Sequence, residues 1–161
     1  MAHFDTFKLL PPIKQALIEL GYKNPTPIQE KAIPSALAGK DIVGNAQTGT
    51  GKTAAFCIPM LTTLLNHPEK NGLILVPTRE LVLQIEKFWL SLTQFCKEVD
   101  CVSLIGGVPM ENQVKKLNKG PRLIISTPGR MVDHIQNKSL LLNKIAVLVL
   151  DEADRLSLIH I

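Results

Sequence analysis

Apolar residues recur along this chain with two different periods, and the way those periods alternate is the first guide to its architecture. Leu10, Ile13, Leu17 and Leu20 share one face of a helix. Pro11 and Pro12 are tolerated in its first turn, and Gly21 suits its C-terminal stop. Beyond it, short apolar runs at Ile42-Val43, Leu73 to Val76, Cys101 to Ile105, Leu123 to Ile125 and Ile145 to Leu150 are bounded by Gly, Pro or Asn. Each run reads as a buried strand. Helical patterns lie between them, the clearest at Leu81, Ile85, Phe88, Trp89 and Leu92, which fall on one side of a helix. Such alternation predicts an α/β fold: βαβ units around a mostly parallel sheet, with ligands beyond the carboxyl ends of the strands. No repeat, low-complexity tract or linker interrupts the pattern, so the 161 residues read as one domain at most.

Composition narrows the class without naming it. The chain is 45% hydrophobic, 20% charged and 4% aromatic, ordinary for an α/β protein and unlike a disordered one. No apolar run approaches the roughly 18 residues of a membrane span, and the start, Met1 to Asp5, lacks the pattern of a secretory signal. A cytoplasmic protein with no membrane partner is expected. Cys57, Cys96 and Cys101 are odd in number and lack CxxC spacing, which argues against a disulfide framework or a zinc site and for inert buried thiols. His67, His134 and His160 have no metal-like spacing and read as surface residues. The net charge of +4 is compatible with a polyanionic partner.

Two motifs carry the chemistry. Ala46-Gln47-Thr48-Gly49-Thr50-Gly51-Lys52-Thr53 lies between the run at Ile42 and a helical stretch through Ala54, Ala55 and Phe56, as a phosphate-binding loop would. Gly49 and Gly51 let backbone N–H groups curl around phosphate oxygens, Lys52 reaches the β and γ phosphates, and the Thr53 hydroxyl can ligate Mg²⁺. Ala46 stands where the general pattern has Gly. The second motif, Asp151-Glu152-Ala153-Asp154, follows directly on the run Ile145 to Leu150, which sets carboxylates at a strand's end. Asp151 would hold Mg²⁺ and Glu152 would orient or deprotonate a water for in-line attack on the γ-phosphate. The alternative is a solvated helix start, where acids favour the dipole.

Asp-Glu-Ala-Asp at 151–154, together with the loop at 46–53, resembles the DEAD-box family of superfamily-two helicases. Gly21-Tyr22-Lys23-Asn24-Pro25-Thr26-Pro27-Ile28-Gln29, with Phe4 upstream, is similar to that family's adenine-recognition motif. The resemblance implies that Gln29 pairs with the edge of adenine, selecting ATP, since a Gln amide offers both a donor and an acceptor. Phe4 would stack on the base with Tyr22 packed nearby; Phe4 in the core and Pro25 to Pro27 as a simple turn remain alternatives. Pro77-Thr78-Arg79, Gly106-Gly107 and Thr127-Pro128-Gly129-Arg130 resemble the family's RNA-contacting segments. There Arg79 and Arg130 would neutralise phosphates while Thr78, Thr127 and the N–H groups at Gly107 and Gly129 bond backbone oxygens, without reading sequence. Taken singly, each segment could instead be a helix-start ion pair or a turn. Pro59, inside the helix after the phosphate loop, would kink it, and the family often has Pro there.

The resemblance implies a RecA-like phosphate-loop fold and an ATP-dependent RNA helicase. It divides residues 1–161 into an adenine-motif region at 1–30, a partial ATPase core at 31–156 and an atypical tail at 157–161. Asp154 would couple this domain to a second RecA-like domain of the full-length chain. After Leu156 the family continues with a helix and a strand bearing Ser-Ala-Thr, which lies between the phosphate-loop strand and the Asp151 strand. Here Ser157-Leu158-Ile159-His160-Ile161 follows instead and looks like translated sequencing adapter. These residues alone are therefore expected to be unstable and to lack turnover, since the second domain supplies an arginine that contributes about 10³–10⁵ in rate. Two other readings stand beside this one: a truncated, non-catalytic module binding nucleotide and RNA, and a phosphate-loop ATPase acting on DNA.

Overall fold

The computed structural model describes residues 3–156. Among the described residues a 3-10 turn at Phe4–Thr6 is followed by seven α-helices and four strands in the order α1 (Pro11–Glu19), α2 (Pro27–Leu37), α3 (Lys52–Asn66), β1 (Asn71–Leu75), α4 (Arg79–Leu92), β2 (Cys101–Leu104), α5 (Met110–Leu117), β3 (Leu123–Ser126), α6 (Pro128–Gln136), β4 (Ile145–Leu150) and α7 (Ala153–Leu156). The strands form one parallel sheet in the order β2-β3-β1-β4. An α/β fold of parallel strands flanked by helices, as in a RecA-like helicase domain, is therefore present. The tail at 157–161, His160 included, lies outside the described residues.

Why these residues build these elements is visible at their ends. α1 starts at Pro11 and stops at Gly21, whose φ of +75° is open to glycine at little cost. Pro27 opens α2 and Thr78 caps α4, its hydroxyl accepting from Leu81 N–H at 3.3 Å. α3 continues through Pro59 to Asn66. On one face of the sheet Ile74, Leu123 and Ile125 meet Ile58 and Leu61 of α3, Val82, Ile85 and Trp89 of α4, and Ile13 and Leu17 of α1. On the other, Leu73, Val102, Leu104 and Ile124 pack with Leu140, Leu117 of α5 and Met131 of α6. Burial of such side chains contributes about 1.5–3 kcal/mol each. The Trp89 indole N–H donates to the Val99 carbonyl at 3.0 Å, so even the largest core residue keeps its polar atom paired.

Two expected buried strands come out differently. Ile42-Val43 forms no strand; Ile42 is 42% exposed and Val43 fully exposed. Ile145 to Leu150 is a strand, but its exposure alternates: Val147 and Val149 pack on the core while Leu148 and Leu150 stay 55% and 52% exposed. The first departure follows from the sheet's edge. β4 is the last strand of the sheet, and among the described residues no strand pairs with its outer edge, so the apolar pair at 42–43 has no ladder to join.

Candidate nucleotide site and strand-end interface

The carboxyl ends of the four strands carry four of the segments singled out by their chemistry, while the phosphate loop and the adenine-motif segment precede the first strand. Across the sheet the four are the Gly106-Gly107 loop after β2, Thr127 to Arg130 after β3, Pro77 to Arg79 after β1, and Asp151 to Asp154 after β4. The parallel ladder, with Leu75 beside both Ser126 and Leu150 and Leu104 beside Ser126, brings these ends level.

On the β4 side a cavity of about 400 Å³ is lined by Lys52 and Phe56 of α3, Lys40 and Ile42 of the preceding segment, Leu148 of β4 and Asp151 just after it. Lys52 and Asp151, far apart in sequence, thus line the same cavity. The loop before Lys52 is exposed at Gln47 to Gly49, and Gly49 and Gly51 have φ of +82° and +88°, which glycine adopts freely. Within it Thr50 Oγ1 donates to the Gln47 carbonyl at 2.7 Å. Its far end is pinned by Gln29, 1% exposed, whose Nε2 donates to the Gly51 carbonyl at 3.0 Å and whose Oε1 accepts from Thr26 N–H at 2.9 Å. A Cβ on Gly51 would stand 2.3 Å from Gln29 Nε2. The side chain expected to read adenine therefore braces the phosphate loop.

Burial raises the Asp151 carboxyl above its ordinary value; the Glu152 N–H, 3.0 Å from Asp151 Oδ1, and the Lys52 charge pull it partly back. Glu152 itself has φ of +52°, a costly conformation for a residue with a side chain, and its Oε2 accepts from Arg155 Nη1 at 2.8 Å. Thr53 and Asp151 offer hard oxygen donors that suit Mg²⁺ arriving with a nucleotide. Among the described residues, no group of three or more His, Cys, Asp or Glu side chains could hold a metal unaided. Phe4 departs from expectation: it is 6% exposed and packs edge-on against Phe7 at 5.7 Å and Tyr22 at 5.6 Å, in the core alternative. At 6% exposure the ring offers little free surface.

The other strand ends are drawn together. The Arg79 guanidinium lies against Gly107, where a Cβ would come within 2.6 Å of Nη1 and φ is +78°. Arg79, Gly107 and Gly129 are exposed; Pro77, Thr78, Gly106 and Thr127 are half-buried, and Pro128 is buried at the start of α6. Arg130 is not the free cation expected. Its Nη2 donates to the Val108 carbonyl, its Nε to Gln113 Oε1 at 3.1 Å, and Asp133 stands 3.6 Å from Nη1. The guanidinium is turned inward because the buried Gln113 amide and the half-buried Val108 carbonyl outcompete solvent for it.

Sequence reasoning missed the centre of this arrangement. Gln113 and His134, expected on no site and on the surface respectively, are 2% and 0% exposed. Gln113 Nε2 donates to the Ile105 carbonyl at 2.8 Å, His134 Nε2 meets Gln113 Oε1 at 2.9 Å, and His134 Nδ1 meets Ser139 Oγ at 2.8 Å. Burial, and then the neighbouring Arg130 charge, lowers the His134 pKa below its ordinary value. A polar residue on the inner stripe Met110, Gln113, Val114, Leu117 of α5 was the available signal. The cysteines behave as expected: burial pushes the Cys96 thiol up to about 11 and the Cys101 thiol to about 12, so neither forms a thiolate near neutral pH.

A sequence model of the DEAD/DEAH box helicase family matches residues 26–159. Among curated proteins, the chain is 46% identical over 155 residues to the ATP-dependent rRNA helicase RRP3 of Ajellomyces capsulatus, covering 95% of this chain and 32% of that protein. It is likewise 46% identical over 155 residues to the ATP-dependent rRNA helicase rrp3 of Aspergillus fumigatus, covering 33% of it. The chain thus spans about a third of the length of the curated relatives it matches.

Proposed function

The chain belongs to the DEAD/DEAH box helicase family, and from that premise we propose that it is the ATP-binding lobe of a cytoplasmic, RNA-stimulated ATPase that unwinds RNA duplexes. The observation that carries the proposal is the meeting of Lys52 and Asp151 in the lining of one cavity, Lys52 following directly on a loop whose glycines hold left-handed backbone. Lys52 and the loop N–H groups bind the triphosphate, and Thr53 and Asp151 hold the magnesium ion that accompanies it. When bound, that ion offsets charge developing on the phosphate oxygens. Glu152 orients the attacking water, and Asp154 links this lobe to a second RecA-like domain. Gln29 ties the adenine-motif segment to Gly51, so base and phosphate recognition share one support. The exposed Arg79 and the N–H groups near Gly107 and Gly129 grip the RNA backbone without reading its sequence.

Duplex separation follows if the two domains close together on ATP and single-stranded RNA, bending the strand. The test is turnover by the full-length protein across a nucleotide panel, with single-stranded RNA or DNA added. ATP-selective, RNA-stimulated hydrolysis, lost by at least about 100-fold in Lys52→Ala, is expected. Equal stimulation by DNA, or hydrolysis indifferent to Lys52, would overturn the proposal.

A further inference from the structure

We propose that Gln113 is a positioning residue for the RNA-binding edge: its buried amide brackets the loop after β2 to the start of α6, and so sets the spacing of the backbone groups that meet a phosphate chain. The inference rests on the reading of that edge as an RNA grip and adds a residue outside all the motif segments. Gln113 lies on α5, behind the strand ends, at 2% exposure. One amide donor goes to the Ile105 carbonyl at 2.8 Å, immediately before Gly106-Gly107. The amide oxygen accepts twice, from Arg130 Nε at 3.1 Å and His134 Nε2 at 2.9 Å. Both lone pairs of that oxygen are then engaged.

The orientation of the amide follows from its partners. With oxygen and nitrogen exchanged, the oxygen would face the Ile105 carbonyl and the NH₂ would face the Arg130 donor, two repulsive contacts in a buried site. Since the oxygen can only accept, His134 carries its proton on Nε2, and its Nδ1 accepts from Ser139 Oγ, 2.8 Å away. A continuous path therefore runs from Ser139 through His134 and Gln113 to Ile105, with a branch through Arg130 to the Val108 carbonyl. It joins the segments on both sides of Gly106-Gly107 to the segment bearing Thr127 and Gly129. Arg130 is a strut in this path, which leaves the exposed Arg79, lying over Gly107, as the cation facing outward.

The experiment compares full-length wild type with Gln113→Met, which matches the shape and removes all three bonds, and with Gln113→Glu, which keeps the acceptors and removes the donor. In the wild type, RNA must stimulate ATP hydrolysis; its failure to do so would sink the RNA-grip reading and this inference together, before any variant is made. Given stimulation, the RNA concentration for half-maximal rate should rise about tenfold in Gln113→Met, by less in Gln113→Glu, with KM for ATP within about twofold of wild type. An unchanged RNA constant in either folded variant overturns the bracket alone. A parallel rise in the RNA constant and the ATP KM overturns it too, because ordinary loss of structure moves both. Should Gln113→Met fail to fold, the same two constants measured on Gln113→Glu decide.

Discussion

The two halves of the strand-end surface are built in opposite ways. Over β2, β3 and β1, side chains join one segment to another: Arg79 lies on Gly107, Arg130 bonds Val108 and Gln113, and Gln113 bonds Ile105 and His134. On the β4 side, the side-chain tie to the phosphate loop from a distant element among the described residues is Gln29 to Gly51, and β4 leaves Leu148 and Leu150 bare. Buried polar networks that are fully satisfied are rigid. A loop with few ties and exposed backbone opens at low cost. The half assigned to RNA is thus shaped in advance, whereas the half assigned to nucleotide depends on the Gln29 amide, so perturbations of equal size should have unequal consequences.

The largest difference should appear at Gly51. An added methyl group meets Gln29 Nε2 at 2.3 Å and sits on a residue with φ of +88°, costing about 1–2 kcal/mol in backbone strain and about 1 kcal/mol for the lost bond. Gly51→Ala in the full-length protein should weaken binding of an ATP analogue roughly 30–100-fold, while nucleotide-free RNA binding, read by fluorescence anisotropy, stays unchanged. Equal losses on both ligands would erase the distinction between the halves.

A smaller effect should mark the braced half through acidity. The folded state holds the His134 pKa below the 6.5 of the free side chain. Its contribution to stability is therefore present above about pH 6.5 and is lost as pH falls from there through the folded value, because the unfolded chain takes up the proton first. Denaturant melts of the full-length protein between pH 7.5 and 5 should show a decline that is shallower in His134→Asn. Identical slopes would mean that His134 is not held neutral by its surroundings.

The smallest effect should come from the bare face of β4. Leu148→Gln replaces a side chain that is 55% exposed, so in the full-length protein it should change stability by no more than about 0.5 kcal/mol in denaturant melts. A loss of several times that size would show that Leu148 is covered in solution.

Much of this was legible beforehand because local rules and global packing agree. Strand and helix alternation, the stop at Gly21 and the strand ending at Leu150 came from periodicity and turn chemistry alone. Ile42-Val43 failed as a strand because two apolar residues specify nothing without a neighbouring edge, and edges are a property of the assembled sheet. The inward turn of Arg130 was hidden for a related reason. Its acceptors come from Val108 and Gln113, which lie far away in sequence, and an arginine in a glycine-proline turn gives no sign of which way it faces. His134 was misplaced outward because spacing tests for metal ligands ignore a histidine whose partners are an amide and a hydroxyl.

The left-handed backbone at Glu152 carries a last implication. Consecutive residues of an ordinary strand send their side chains to opposite faces, but this one reverses the chain at once. Asp151 folds back onto its neighbour's N–H, and Glu152 swings across to Arg155. Two adjoining acids are in this way given separate partners by a kink that glycine would adopt more comfortably, so Glu152→Gly would relieve the backbone at the cost of the bond to Arg155.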